Sequence, residues 1–235
     1  MDKKEFLQSL VIGLAIAIAG ISVGVGFYKG RVNDRYVTVK GLAEREVNAN
    51  LAIWPITFHV ADDELISLQS QIEQKRKVIT QFLTEAGFHE DQISYSSPRI
   101  QDTRANQYGG SNISQYRYVA QSTVTVRTED VSLVKRSMEA SGQLIGKGVV
   151  LAADSWETPT EFIYTRLNDI KPEMIEEATK DARKAAEKFA MDSGSQVGKI
   201  RNASQGYFSI ENRDNNSPEI KEIRVVTTVE YFLVD

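Results

Sequence analysis

Cysteine is absent from the 235 residues of this chain. Its absence excludes disulfide frameworks, cysteine-ligated zinc or iron–sulfur centres, and thiol nucleophiles. Histidine is scarce too, since His59 and His89 are the only two. The 28 Lys and Arg residues are offset by 32 Asp and Glu residues, and no basic run occurs. A nucleic-acid surface needs clustered cations that face the phosphates, so we expect no nucleic-acid partner.

One long hydrophobic run stands near the N-terminus. Between Leu10 and Phe27, Ser22 is the only polar side chain. A helix needs roughly 20 residues to cross a bilayer core of about 30 Å, and Phe6–Tyr28 supplies that length. The run therefore predicts a transmembrane helix, with residues 1–30 as a membrane anchor or uncleaved signal and residues 31–235 as the folded body.

Two alternatives to a retained anchor remain open. Ala17-Ile18-Ala19 before Gly20 resembles the small-residue site at which a secretory signal is cut. However, the apolar run continues to Phe27, whereas a signal normally turns polar at its cleavage site, so we favour a retained helix. A buried core helix would normally have a polar face, and this segment has none.

The body opens with two predicted strands. Tyr36–Lys40 has the pattern of a short strand, and Leu51–Val60 that of a longer one rich in β-branched and aromatic residues. Pro55 interrupts the second strand. Because proline cannot donate to a sheet ladder, we expect an edge position or a bulge there.

A long amphipathic helix is predicted next. Apolar residues recur at helical spacing from Leu65 to Ala86, Asp62 and Asp63 offer N-caps, and Gly87 supplies the stop. The opposite face is charged and polar, and we expect it to be solvated. It consists of Glu73, Gln74, Arg76, Lys77, Gln81 and Glu85.

The middle of the chain predicts a hairpin and a short helix. Tyr116–Thr128 alternates like a half-buried antiparallel strand, while Arg99–Gln115 loses periodicity and contains Gly109-Gly110, as in a hairpin connection. Asp130 is predicted to cap a helix that ends near Gly142. Further strands are predicted at Val149–Leu151 paired with Glu161–Thr165, at Val197–Ile210 and at Ile220–Val234.

The last helix is predicted from about Pro172, in its first turn, to Ser193, with Gly194 after it. Its apolar stripe is small, which lets the helix lie close against a sheet or a second helix. The stripe comprises Ile175, Ala178, Ala182, Ala185, Ala186, Phe189 and Ala190. Strand pairs separated by single helices indicate an α+β fold, an antiparallel sheet with amphipathic helices packed on one face.

The order of several short segments resembles the SIMPL-domain family, also called domain of unknown function 541. They are Tyr-Val-Thr-Val-Lys-Gly, Asn-Ala-Asn-Leu-Ala, Phe-Leu-Thr-Glu-Ala-Gly-Phe, Tyr-Arg-Tyr-Val-Ala, and Glu-Glu-Ala-Thr-Lys-Asp-Ala-Arg-Lys-Ala-Ala-Glu-Lys-Phe-Ala. The resemblance covers roughly Arg35 to Val234, and its order and spacing carry it. Many members have a proline-aspartate pair where this chain has Asn50-Leu51, so a role for that acidic residue does not transfer.

The resemblance implies an exported bacterial cell-envelope protein with an α+β fold, and members are linked to oligomeric assembly or oxidative stress. No catalytic or cofactor residues are established for the family, so none is carried over. The implied export also bears on orientation. Lys29, Arg31 and Arg35 after the span outnumber Lys3 and Lys4 before it, which favours a cytoplasmic body, but a large domain can translocate despite a few cations.

Residues that could carry chemistry each have a simpler structural interpretation. His59 lies inside a predicted strand and His89 follows a helix stop, and neither has a histidine or cysteine nearby in sequence. Asp62, Asp63 and Glu64 are explained as helix caps. Asp154 and Glu157 flank Trp156 in a predicted loop, where a pair of carboxylates is common on an acidic surface. Gly146-Lys147-Gly148 lacks the other residues of a phosphate-binding loop. Asn-x-Ser triplets that arise easily by chance begin at Asn112, Asn202 and Asn215.

We therefore predict no catalytic, cofactor-binding or metal-binding residues and no enzyme activity. The leading hypothesis is a single-pass protein of the bacterial inner membrane with a periplasmic domain. It would act by self-association or by binding an envelope partner, in a stress-related role. The alternatives are a hydrolase that uses carboxylates or His59, and a carrier for a small apolar or aromatic ligand near Tyr116, Tyr118 and Trp156.

Overall fold

The computed structural model describes residues 3–32, 35–105, 115–152 and 158–234, and within the first helix it describes the side chains of residues 11–26. The elements along the chain are α1 (Lys3–Val32), β1 (Tyr36–Asn48), β2 (Leu51–Asp62), α2 (Leu65–Ala86), a 3-10 turn (Glu90–Gln92), β3 (Ile93–Tyr95), β4 (Arg99–Asp102), β5 (Tyr118–Thr128), α3 (Val131–Ala140), α4 (Gly142–Gly146), β6 (Glu161–Ile163), α5 (Leu167–Asp192), β7 (Gln196–Asn212) and β8 (Ile220–Val234).

The predicted α+β class is confirmed, but the strands form two sheets instead of one. One sheet has the order β1-β8-β7, and the other has the order β3-β5-β2-β6 with β4 also paired to β5. The chain also divides into two compact units. One unit consists of residues 1–45, 170–209 and 223–235, and the other consists of residues 46–169 and 210–222. In the first sheet β1 is adjacent to β8, so strands from opposite ends of the chain pair, and local patterns do not encode this pairing.

Strands β2 and β5 form the centre of the larger sheet. They pair antiparallel along their whole length, from Ala52 opposite Thr128 to Asp62 opposite Tyr118. Alternate residues of both strands are buried against helices α2 and α3, as the alternation in β5 predicts. The largest side chains of this core are Trp54, Phe58, Leu68, Ile72, Ile79, Phe82, Leu83, Phe88 and Phe162.

The predictions around Pro55 need correction. Strand β2 is not at an edge, because β6 pairs with its other side over Leu51–Ile53, and Phe58 forms a bridge to Leu151. Pro55 lies in the interval between these two pairings, where the ladder on that side is open and a missing N–H costs little. Residues 149–151 and β6 therefore both pair with β2 and not with each other.

Two predicted helix boundaries are confirmed. Helix α2 ends at Ala86, and Gly87 follows in the left-handed region with a φ of 110°, which glycine adopts without steric cost. Asp130 caps α3, because its Oδ1 accepts a hydrogen bond from the backbone N–H of Leu133 at 2.8 Å.

Helix α5 starts earlier than predicted, at Leu167, so Pro172 lies inside the helix and not in its first turn. The alanine stripe is confirmed as core, because Ala178, Ala182, Ala186 and Ala190 are fully or almost fully buried. The assignment of Phe189 to the stripe is wrong, since this side chain is exposed. Strand β1 also differs, since it continues past Lys40 to Asn48. Its inward residues Val37 and Val39 pack with the α5 alanines, Val229 and Tyr231.

Helix α1 presents apolar side chains to its surroundings on every side. All residues from Val11 to Gly26 are exposed. The large ones are Val11, Ile12, Leu14, Ile16, Ile18, Ile21, Val23 and Val25, each 48 to 69% exposed. The side chains of α1 are described over residues 11–26 only, and among the described residues no helix is both long enough and apolar enough to span a membrane.

Candidate functional site

The two histidines lie on separate elements. His59 is exposed on β2, opposite Gln121 of β5. His89 precedes the 3-10 turn, and its backbone N–H donates to Oε1 of Gln92 at 3.0 Å. In the part of the chain that the structure describes, no three His, Asp or Glu side chains come together as a metal site.

The acidic group at the start of α2 is organised differently from the predicted caps. Glu64 is the N-cap residue, and its side chain makes no capping hydrogen bond. Asp62 accepts from the Ser67 hydroxyl and the Gln71 amide, each at 2.5 Å. The Ser67 bond is the main reason that the pKa of Asp62 lies below its usual value. The oxygens of Asp62 thus hold the first two turns of α2. Oδ1 of Asp63 accepts a hydrogen bond from the backbone N–H of Arg117 at 3.0 Å.

The predicted aromatic ligand site is described only in part, because Asp154, Trp156 and Glu157 lie outside the described residues. Tyr118 carries the guanidinium of Arg117 over its ring, 4.9 Å from the centroid. Arg117 also pairs with Asp102 at 3.2 Å, and this carboxylate raises the pKa of the arginine. One face of the Tyr118 ring is therefore occupied by the protein's own side chain.

A groove of about 550 Å³ runs along the polar face of α2, beside Tyr95. Arg76 lines this groove and is half-buried, whereas the sequence predicts a solvated side chain. Its guanidinium donates to the carbonyl of Ser96 and, at 3.0 Å, to the hydroxyl of Ser122, which is only 2% exposed. Arg76 thereby provides the buried Ser122 hydroxyl with a hydrogen-bond partner and connects the segment after β3 to α2. These guanidinium N–H groups are thus used in contacts within the fold.

Lys221 is the one charged residue buried among the described positions, at 8% exposed. Burial lowers its pKa, against the opposing charges of Glu161 and Glu219, and its ammonium donates to the side-chain carbonyl of Asn212. A lysine with a lowered pKa is a candidate base or nucleophile, but its bond across the β7–β8 hairpin gives it a structural role. Its burial follows from the alternation of β8, in which Lys221 falls on the inward face with Ile223 and Val225, although it is not among the predicted site residues.

The feature best suited to binding a partner is the outer edge of β7. This strand has 17 residues, and among the described residues β8 is its one neighbour in the sheet. Every residue from Lys199 to Tyr207 is exposed. Tyr207 is 100% exposed, Ile200 49% and Ile210 39%. The strand is long and contains no proline, so two of the features that protect edge strands from pairing are missing here.

The family assignment rests on a match over most of the folded body. A sequence model of the family described as SIMPL, protein of unknown function (DUF541), matches residues 37–231. The chain belongs to the SIMPL family. The resemblance seen in the sequence is thereby confirmed, and the match includes β7 and most of β8. A comparison with curated proteins finds no match.

In this SIMPL chain, Asn50 and Leu51 make contacts that stabilise the start of β2. The Asn50 amide donates to the Thr165 hydroxyl at 2.8 Å, and its carbonyl accepts the Thr165 backbone N–H at 2.7 Å. Leu51 is buried and pairs with Ile163 of β6. Asn50 and Leu51 therefore join the start of β2 to the end of β6.

Proposed function

We propose that this SIMPL protein is a membrane-anchored envelope protein that acts by association, with itself or with an envelope partner, and not by covalent chemistry. The observation that carries the proposal is the long exposed edge of β7. Unpaired backbone N–H and C=O groups along an edge are a template for another strand. A strand of 17 residues offers far more of them than the five or six residues of an average strand.

The anchoring half of the proposal is supported by α1. The helix has 30 residues, which corresponds to a length of about 45 Å, against about 30 Å for a hydrocarbon core. Its described side chains form a continuous exposed apolar surface, which is typical of a membrane or protein contact. We infer that Phe6–Tyr28 spans the inner membrane once and that the SIMPL domain lies in the periplasm.

The association prediction can be tested by mass. Full-length protein solubilised in a mild detergent should have a protein mass, by light scattering corrected for detergent, of at least twice the 26.3 kDa of one chain. Envelope proteins that stay bound should appear in the same peak by mass spectrometry. A peak of one chain with nothing bound, over the whole accessible concentration range, would contradict the proposed function.

The predicted topology is tested by protease accessibility. In spheroplasts, added protease should digest the SIMPL domain, and undigested protein should stay with the membranes after an alkaline wash. As a control, Ile16→Lys with Ile18→Lys should weaken membrane retention, since a lysine near the centre of a span costs about 2.5–3.5 kcal/mol. A domain that is cut only after lysis, or a mature chain starting at Gly20, would show that this topology is wrong.

A further inference from the structure

We propose that two copies of this chain join edge to edge through β7, antiparallel, about a two-fold axis that passes through Gln205. The inference rests on the proposed self-association and names its contact. In such a pairing, a residue that lies n positions before Gln205 in one copy is opposite the residue that lies n positions after Gln205 in the other copy. Side chains alternate between the two faces of a strand, and directly opposed residues point to the same face of the sheet. The two-fold axis must therefore pass through a residue and not between two residues.

This register matches charges and apolar side chains. Lys199 lies opposite Glu211 of the partner subunit, and Ile200 lies opposite Ile210 of the partner subunit. The two-fold axis repeats each contact, so one interface contains two opposite-charge pairs and two isoleucine pairs. Directly opposed residues of antiparallel strands have Cβ atoms about 4.5–5.5 Å apart, close enough for both kinds of pair to stabilise the contact.

The same register places the fully exposed Tyr207 opposite Ala203 of the partner subunit. A large ring beside a methyl group can lie flat over the neighbouring strand, so the ring loses water contact without a clash. Lys199, Ala203, Gln205, Tyr207 and Glu211 share one face of the strand by alternation, and Ile200 and Ile210 share the other. Both faces of the joined sheet thus gain a contact.

Registers shifted by one step to either side fit less well. With the axis at Gly206, Arg201 faces the partner's Glu211, but Lys199 faces the partner's Arg213, which has the same charge. Ile200 then faces the partner's Asn212, and Ile210 faces the partner's Asn202. With the axis at Ser204, Ile200 faces the partner's Phe208, but Lys199 faces the partner's Ser209 and Glu211 faces the partner's Val197. Only the register centred on Gln205 pairs the charges and the isoleucines together.

The absence of cysteine makes a direct test possible, because a single introduced cysteine is the only thiol in the chain. Full-length Ala203→Cys, Gln205→Cys and Tyr207→Cys proteins in mild detergent are treated with a short bifunctional thiol cross-linker. In the proposed register the two copies of residue 205 lie about 5 Å apart, whereas the two copies of residue 203 or 207 lie about 14 Å apart. We expect strong cross-linking at 205 and equally weak cross-linking at 203 and 207.

Other patterns would overturn the inference. Equal cross-linking at 203 and 205 would place the axis at Ser204, and equal cross-linking at 205 and 207 would place it at Gly206. If light scattering of the same samples gives an oligomer and no position cross-links, the β7 contact is wrong while the proposed function stands. If the samples are monomeric, the proposed function fails as well.

A charge exchange gives an independent measurement. Lys199→Glu faces the partner's Glu211 and creates two like-charge pairs for each interface, so dimer affinity should fall roughly five- to tenfold in analytical ultracentrifugation. Lys199→Glu combined with Glu211→Lys should restore it. Lys188→Glu, an exposed charge reversal on α5, is the matched control and should leave dimer affinity unchanged. A double variant as weak as the single one would contradict the register.

Discussion

Replacing Gly41 with alanine is expected to destabilise the protein by about 3 kcal/mol or more, at the upper end of what overpacking costs. A Cβ atom at this position would lie 1.9 Å from the carbonyl oxygen of Ala178 and 2.4 Å from the backbone nitrogen of Ala182. Both atoms belong to the backbone of α5. The added methyl group can therefore be accommodated only by moving the whole helix away from β1.

The free energy of unfolding in urea, followed by circular dichroism, measures this effect. Gly142→Ala is the matched control, since a Cβ atom there meets nothing within 4 Å and Gly142 lies in a helix. That variant should be unchanged or up to about 1 kcal/mol more stable. Equal stability of Gly41→Ala and the wild type would mean that α5 does not approach β1 as closely as the structure has it.

The contact between Gly41 and α5 could be predicted from the sequence only in part. The alanine spacing in α5 predicts a closely approached helix, and the structure confirms it. The other half of the contact could not be predicted in the same way, because Gly41 follows Tyr36–Lys40 and has the local pattern of a strand end. Only tertiary structure shows that β1 continues and that the missing side chain makes room for a helix from a distant part of the sequence.

The buried contacts of Arg76 and Lys221 were not predicted, for a related reason. Periodicity places Arg76 on the polar face of α2, and that placement is right. However, the guanidinium reaches the buried Ser122 hydroxyl, a contact between residues 46 positions apart. Lys221 could have been found, because it continues the inward alternation of β8. Its acceptor Asn212, across the hairpin, could not be assigned from spacing alone.

The candidate interaction edge depends on strand order, which local patterns leave open. The sequence predicts strands at Val197–Ile210 and Ile220–Val234. The structure confirms both, the first extended to Gln196–Asn212 and the second with the predicted bounds. It does not predict that β8 lies between β1 and β7. That order leaves β7 with one neighbour, and it turns an ordinary predicted strand into the exposed edge on which the proposed association rests.

Ala182→Leu is expected to lower stability by about 1–3 kcal/mol, because it inserts three carbons into a fully buried site. Ala182 is 0% exposed and packs with Val39, Val229 and Tyr231. Since all of these neighbours belong to the same chain, the loss should appear as a lower free energy of unfolding whose size does not depend on protein concentration. The assembly mass of the remaining folded protein should be unchanged.

Lys184→Leu provides the matched control, because it introduces the same side chain at an exposed position of the same helix, two residues away. Its stability should stay within about 0.5 kcal/mol of the wild type. If Ala182→Leu instead leaves the unfolding curve in place and reduces the mass of the assembly, the alanine stripe contacts another subunit and not β1 and β8 of its own chain. A variant that changes neither quantity would place Ala182 on the surface, in contradiction to the packing of α5.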